Sequence, residues 1–303
     1  MQSTKLKSIM AIALSSAMLF ATAACGTSDK ADAGTDSAKG SDAATITSYD
    51  VSSVEKDDTI ATLLPESVTK DGKLTIGTNP SYAPAEFLDA DGKTQIGYDM
   101  DLARAMGNIF GLDTEIVSSN FDTIIPAIGS KYDLGIAAFT KTPERAEEID
   151  FSDLYEKSAQ LLIVKAGNAD LYSTKESLAG QKVGAQKGTI QSQLIQTALP
   201  DSELFELEKY PALALEVQNG NIAGLVVDQA VGESLIATSN GGLEVSNFAF
   251  TSEEASFGKA VVAAKGSEDL LAEVNTVINQ VVNDGSYLKA YDEAVELAAS
   301  MGL

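Results

Sequence analysis

Three short segments carry residue types able to hold a small charged molecule. The first is Thr140-Lys141-Thr142-Pro143-Glu144-Arg145. Thr142 suits a helix N-cap and Pro143 the first helical position. That puts Arg145 in the first turn, at the positive end of the helix dipole, where a cation is disfavoured by roughly 0.3 kcal/mol or more. An anion seated at the same spot would account for it, because N-terminal N–H groups, threonine hydroxyls and a guanidinium fork together hold a carboxylate. The alternative is a surface arginine paired with Glu148. The second segment, Gln186-Lys187-Gly188-Thr189, links a strand to a helix. Gly188 permits close backbone approach and Thr189 can cap the helix and offer its N–H, although a plain turn has the same composition. The third is Asp228, directly behind the apolar run 224–227. It is either the N-cap of the next helix or the partner of a bound ammonium.

All three segments follow strands, and open α/β sheets place ligands at the C-terminal ends of their strands. A clamp for a carboxylate and a partner for an ammonium match the two ends of an α-amino acid. The rest of the composition narrows the chemistry. There is no histidine, so Ser-His-Asp and Cys-His catalysis lack their base. With a single cysteine, zinc and copper sites and internal disulfides are also excluded, and neither a metal nor another cofactor is expected. A net charge of −23 argues against a nucleic-acid partner.

The elements that must position these residues are legible as an α/β pattern. Alternation marks a strand over 73–77. Phe87–Leu88 and 95–97 flank Asp89-Ala90-Asp91-Gly92 as a hairpin turn; a calcium loop is excluded because Met100 stands where the twelfth-position glutamate would be. Leu102, Ala103, Met106, Ile109 and Phe110 form one apolar stripe on a helix over 99–110, stopped by Gly111. A strand over 115–117, a short helix over 122–128, and strands over 134–139 and 161–164 follow. A second cycle reads strand 182–185, helix 189–198, strand 204–207, helix 211–219, strand 224–227, helix 229–238 and strand 260–264. A helix bearing Leu270, Leu271, Val274, Val277, Ile278 and Val281 then ends at Asp284-Gly285. Two successive α/β units with a cleft between them suit a small ligand.

The N-terminus has the three parts of an export signal: Lys5 and Lys7, an apolar run over 8–20, and small residues before Cys25. Residues 26–60 are rich in Ser, Thr, Ala, Gly and Asp, a composition that buries too little apolar surface to fold. As a flexible tether of about 35 residues they would reach roughly 30–35 Å. No later apolar stretch approaches the ~20 residues of a membrane span.

At these residues the chain resembles the family 3 solute-binding proteins of polar amino-acid ABC importers. The resemblance rests on IGTNPSYAPAEF (76–87), IGYDMDLARAM (96–106), FDTIIPAIGSKYDLGIAAFTKTPERAEEIDFSDLY (121–155), KVGAQKGT (182–189) and GLVVDQAVGESLIA (224–237). Cys25 is similarly placed to the lipidated cysteine of a bacterial lipoprotein, with Thr22 where that motif usually has leucine. The implied architecture is two α/β lobes with a ligand cleft between them, joined by two crossing hinge strands. Residues 1–24 would be the lipoprotein signal peptide, 25–64 the acidic tether, 65–156 and 259–303 lobe 1, and 157–258 lobe 2.

The resemblance implies that Arg145 grips a ligand carboxylate with help from Thr142 and Thr189. Asp228, the Thr140 hydroxyl and the Ala138 carbonyl would hold an ammonium, and Tyr82 and Phe121 would sandwich the side chain, with core packing as the other role open to Phe121. Asn79 and Gln186 would tune specificity. Being neutral amides they point to glutamine, glutamate or asparagine rather than a cationic ligand. Ala85 stands where the family commonly has an aromatic, which would enlarge or soften the site wall. The implied partners are a small amino acid, an ABC permease and the membrane lipid at Cys25. The protein would act as a monomer on the outer face of the cell membrane, periplasmic if an outer membrane exists. Two rival roles share the fold: a dehydratase of cyclic amino-acid precursors, against which stand the missing histidine and the absence of an evident spare cleft carboxylate, and an amino-acid sensor acting on a surface receptor.

Overall fold

The computed structural model describes residues 50–251 and 256–303. The export signal, Cys25 and the tether as far as residue 49 lie outside the described residues. Among the described residues no helix is long and apolar enough to cross a membrane.

The strands are β1 (Lys73–Thr78), β2 (Phe87–Leu88), β3 (Gln95–Ile96), β4 (Asp113–Ser118), β5 (Leu134–Gly135), β6 (Ile149–Lys165), β7 (Lys182–Gln186), β8 (Glu203–Leu207), β9 (Gly224–Asp228), β10 (Leu243–Val245) and β11 (Ser256–Ala264). β2 and β3 form the expected hairpin, whose turn closes on Asp91: its carboxylate accepts from the Lys93 and Thr94 amides at 2.7 and 2.8 Å. The other nine make one sheet in the order β4-β1-β5-β11-β6-β9-β7-β8, with β10 beside β6. β1 is parallel to β4 and β5, and β7 is parallel to β8 and β9. Between these two parallel groups run the antiparallel pair β6 and β11. The first part of β6 pairs with β11, and its residues Gln160–Val164 pair with β9. One strand therefore leaves one α/β half and enters the other, giving the two-lobed architecture that the sequence pattern implied.

Two strands differ from the sequence reading. β6 is 17 residues long rather than four, because 149–160 carries charge at exposed positions and its apolar side is intermittent. β5 is shorter than expected, because Ala138 takes φ 50° and breaks the extended run before Phe139, whose carbonyl then accepts the Ala260 N–H at 2.9 Å.

The helices are α1 (Asp58–Ala61), α2 (Glu66–Thr69), α3 (Tyr98–Phe110), α4 (Phe121–Ile124), α5 (Pro143–Glu148), α6 (Ile190–Ala198), α7 (Tyr210–Asn219), α8 (Gln229–Thr238), α9 (Glu268–Asn283) and α10 (Ser286–Met301). α3 buries its whole predicted stripe and ends on Gly111 at φ 68°. α9 buries its six predicted apolar residues in the same core, each worth roughly 1.5–3 kcal/mol. α10 follows the break at Gly285 and packs against α3, α8 and α9. The last part of the presumed tether belongs to the folded body: Ile60 and Leu64 are buried in the core beside Val68 and Ile109, and the Asp57 amide donates to the Ile109 carbonyl at 3.0 Å.

Candidate functional site

The three turns meet at one small cavity of about 20 Å³, lined by Tyr82, Glu86, Phe121, Ala137, Ala138, Thr140, Arg145, Gln186, Thr189, Ile190, Gln191 and Asp228. Of the residues singled out from sequence, Asn79 and Thr142 do not reach its wall. Thr142 caps α5, its Oγ1 accepting the Arg145 amide at 3.2 Å. Asn79 stands behind Gln186. Gln186 Nε2 donates to Asn79 Oδ1 at 2.9 Å and to the Glu208 carbonyl at 2.8 Å, while Asn79 Nδ2 donates to the Ser119 carbonyl at 2.7 Å. Ala85 is fully buried in an aromatic cluster with Tyr82, Tyr98 and Tyr210 and does not line the cavity. The expected softening of the site wall there is not found.

Arg145 occupies one end. Its Nη1 donates to the Thr140 carbonyl and its Nη2 to the Gly188 carbonyl, both at 3.0 Å, which spans the two halves of the fold. The guanidinium carbon lies 5.5 Å from the Phe121 ring centre. Among the described residues Arg145 forms no salt bridge, so the pairing with Glu148 is not adopted. Burial pulls its pKa down to about 10, with Glu144 opposing only in part. A cation held by carbonyls rather than carboxylates gains from an anion entering the cavity.

Asp228 occupies the other end, 3% exposed. It stands at the N-cap position of α8 but makes no side-chain capping bond. Its carboxylate instead accepts from the Tyr82 hydroxyl and from Gln160 Nε2. The N-cap role open to it from sequence is therefore not the one its side chain takes. Lys259 Nζ lies 3.8 Å from Asp228 and 2.9 Å from Glu156, and donates to the Tyr98 hydroxyl at 3.3 Å. Burial lowers the pKa of this ammonium, yet Asp228 and Glu156 outweigh burial and hold it above the ordinary lysine value. Tyr82 is pushed well up by burial and by Asp228, so its hydroxyl stays protonated and donates.

The two expected sandwiching rings both face the cavity but have their own packing. Tyr82 lies 5.0 Å from the Tyr210 ring, and Phe121 stacks on Phe139 at 4.9 Å and 27°. Across the opening, Gly188 at φ +76° comes so close to Asp122 that a Cβ would stand 2.7 Å from the Asp122 Cβ, and Lys187 pairs with Asp122 at 2.8 Å.

Sequence reasoning missed Glu86, Asp99, Glu156, Gln160, Tyr210 and Lys259. Glu86 also corrects the expectation that the cleft has no spare carboxyl group. The available signal was Lys259 between Phe257 and Val261, a charge at an inward position of an apolar strand. For Glu86, in the loop that closes on Tyr82, no periodicity marks it.

The family described as bacterial extracellular solute-binding proteins, family 3, matches residues 74–295. Among curated relatives, the "ABC transporter glutamine-binding protein GlnH" of Bacillus subtilis is 30% identical over 253 residues, 82% of this chain and 88% of that protein. Among solved structures, an amino acid ABC transporter substrate-binding protein, AbpA, from Streptococcus pneumoniae bound to L-arginine superposes with TM-score 0.74 at 30% identity, over 77% of this chain and 99% of the other. The ancestral amino acid-binding protein AncCDT-1, described as a precursor of cyclohexadienyl dehydratase, superposes with TM-score 0.68 at 32% identity, over 76% and 98%.

Proposed function

Because this chain belongs to the family 3 bacterial extracellular solute-binding proteins, we propose that it captures one free polar α-amino acid in the cavity between Arg145 and Asp228 and delivers it to the permease of an ABC importer. The observation that carries this reading is the placement of a carbonyl-held guanidinium and a buried carboxylate on the wall of one small cavity. The ligand carboxylate meets Arg145 and the Thr189 amide at the start of α6; Thr142 serves by capping the turn that carries Arg145. The ligand ammonium meets Asp228, the Thr140 hydroxyl and the Ala138 carbonyl, and the side chain runs between Tyr82 and Phe121 towards Gln186.

The hydrogen-bonded amides of Gln186 and Asn79 favour glutamine, glutamate or asparagine. A cationic side chain would want a carboxylate where Asn79 stands. The relative named for glutamine supports that preference, and the neighbour bound to L-arginine supports the opposite one. A thermal-shift screen over the twenty amino acids decides: the true ligand at 100 times its Kd adds about 2.7 kcal/mol of stability. If none of the three shifts the melting temperature while arginine does, the preference is wrong. If no amino acid does, the reading fails.

Capture works by closure of two lobes, 65–156 with 259–303 and 157–258, about β6 and β11. Contacts such as Arg145 with Gly188 form only when the lobes meet, and a ligand touching both shifts the equilibrium towards the closed form. Lipid at Cys25 would hold the monomer at the outer face of the membrane; radiolabelled-lipid incorporation lost in Cys25→Ser tests it. Binding is proposed rather than turnover. Glu86 on the cavity wall and the likeness to a dehydratase precursor favour dehydration of a cyclic amino-acid precursor as the second reading, and product formation from prephenate would establish it.

A further inference from the structure

Beneath the cavity lie two buried carboxyl groups that the binding scheme does not use. Glu86 sits on the cavity wall, 1% exposed, and Asp99 sits in the first turn of α3, fully buried. Each has one oxygen that finds no donor in the protein, Oε2 of Glu86 and Oδ1 of Asp99. Native interiors rarely leave such atoms orphaned. The Asp99 N–H donates to the Ala85 carbonyl at 3.0 Å, which sets the 85–86 segment against the start of α3, and Asp99 raises the Glu86 pKa through its charge and a side-chain hydrogen bond. Two ionised carboxylates have no hydrogen to share, so a bond between these side chains needs a proton on one of them.

The other oxygen of Asp99 has a specific task. Asp99 Oδ2 accepts the Ala138 amide at 2.9 Å and the Tyr155 hydroxyl at 3.0 Å. Ala138 is one of two non-glycine residues with positive φ among the described residues, at 50°, a conformation that costs an L-residue about 1 kcal/mol or more. Something must hold it, and the Asp99 carboxylate is the bond on its N–H. That bond fixes the Ala137–Ala138 peptide, and through the positive φ it holds at Ala138 it sets the direction of the next peptide, which carries the Ala138 carbonyl.

From this geometry we infer that Glu86 and Asp99 form a proton-sharing carboxyl pair that positions Ala138, and that loss of the shared proton loosens the ammonium end of the site. The functional consequence rests on the amino-acid-binding reading; the proton sharing does not. Every charged or titratable group facing the pair enters the balance. Lys259 on β11 attracts negative charge; Glu156 on β6 and Asp228 on β9 repel it; the hydroxyls of Tyr155 on β6, Tyr98 on α3, Tyr82, and Tyr287 on α10 surround it. Burial pushes Asp99 up to about 7, with Lys259 and the Ala138 amide pulling it back, and pushes Glu86 well above the carboxylate range, with Asp99 adding to the effect. The folded chain thus keeps a proton that an ordinary aspartate, near pKa 3.9, has released. The contribution of Asp99 to stability is full below about pH 4 and is lost as pH climbs to about 7, and Glu86, also held above the ordinary carboxylate range, adds a loss of the same sign.

The test uses the full chain without ligand, carrying 13C-carboxyl label in Asp and Glu and 15N label in Ala. The expected result is that the Asp99 and Glu86 carboxyl carbons titrate as a coupled pair, with a proton retained to near pH 7, and that the Ala138 amide shift inflects at the same pH. In Glu86→Gln the side-chain N–H₂ supplies a permanent donor to Asp99, so both the retained proton and the Ala138 inflection vanish while the amide stays protected from exchange. Completion of both wild-type carboxyl titrations below pH 5 overturns the sharing. A flat Ala138 shift through the carboxyl step overturns the positioning. An inflection near pH 7 that survives in Glu86→Gln overturns it too, by assigning the proton to Asp99 alone. Because no ligand is present, failure here is distinct from failure of the amino-acid reading.

Discussion

Replacing Arg145 by alanine separates a binding arginine from a structural one, because the two roles predict opposite balances. Without ligand, the guanidinium contributes two hydrogen bonds, to the carbonyls of Thr140 and Gly188, worth about 1–1.5 kcal/mol each. Against them stands the cost of burying a cation. A pKa of about 10 in place of 12.5 corresponds to about 3 kcal/mol, discounted to about 2 kcal/mol because the side chain is only partly buried. The terms nearly cancel, so the ligand-free variant should unfold within about 1 kcal/mol of wild type. With ligand, a buried carboxylate loses its cationic partner, which costs about 3–5 kcal/mol and weakens the Kd roughly 150- to 5000-fold. Denaturant melts of the ligand-free proteins and calorimetric titration with the amino acid found by screening measure the two quantities. An affinity within threefold of wild type would refute the clamp. A ligand-free loss above 3 kcal/mol would show that Arg145 is chiefly a structural strut.

Three further outcomes follow from the same geometry. Lys259→Met leaves Glu156 and Asp228 buried without their cation and should destabilise the fold by about 3–5 kcal/mol in urea melts. Because the lysine's pKa is raised, the stabilisation it provides persists at every pH below about 10.5 and fades only above. Gly97→Ala adds a Cβ that would stand 2.3 Å from the Ala85 carbonyl at a φ of +116°. Neither backbone can yield cheaply, so calorimetry should show a melting temperature lower by about 10 °C. Gly188→Ala brings a Cβ against Asp122 across the cavity mouth and should weaken ligand binding about tenfold, with a ligand-free melting temperature within about 3 °C of wild type.

Local elements were legible where a single chain segment decides its own structure. The α3 stripe, its Gly111 stop, the Thr142-Pro143 cap and the α9 face are periodicity and capping signals, and they hold because helix formation and its termini depend on neighbours within a turn or two. The strands before Gly188 and Asp228 were readable from local pattern as well, whereas β5 ends earlier than its apolar run implied. The length of β6 was not, because its buried side is defined by two different partners, β11 and β9, and no window of sequence contains them. The sequence alone determined an α/β chain with Arg145, Thr189 and Asp228 each at a strand-to-helix turn, and an inventory that rules out histidine chemistry. Only the tertiary structure decided that Asp228 shares its charge with Lys259, that Glu86 reaches the cavity, and that Asp99 holds Ala138. Those pairings join residues 31 and 39 positions apart, or involve a loop residue without periodicity. Burial gives them their strength, and burial is a property of the assembled core rather than of any one segment.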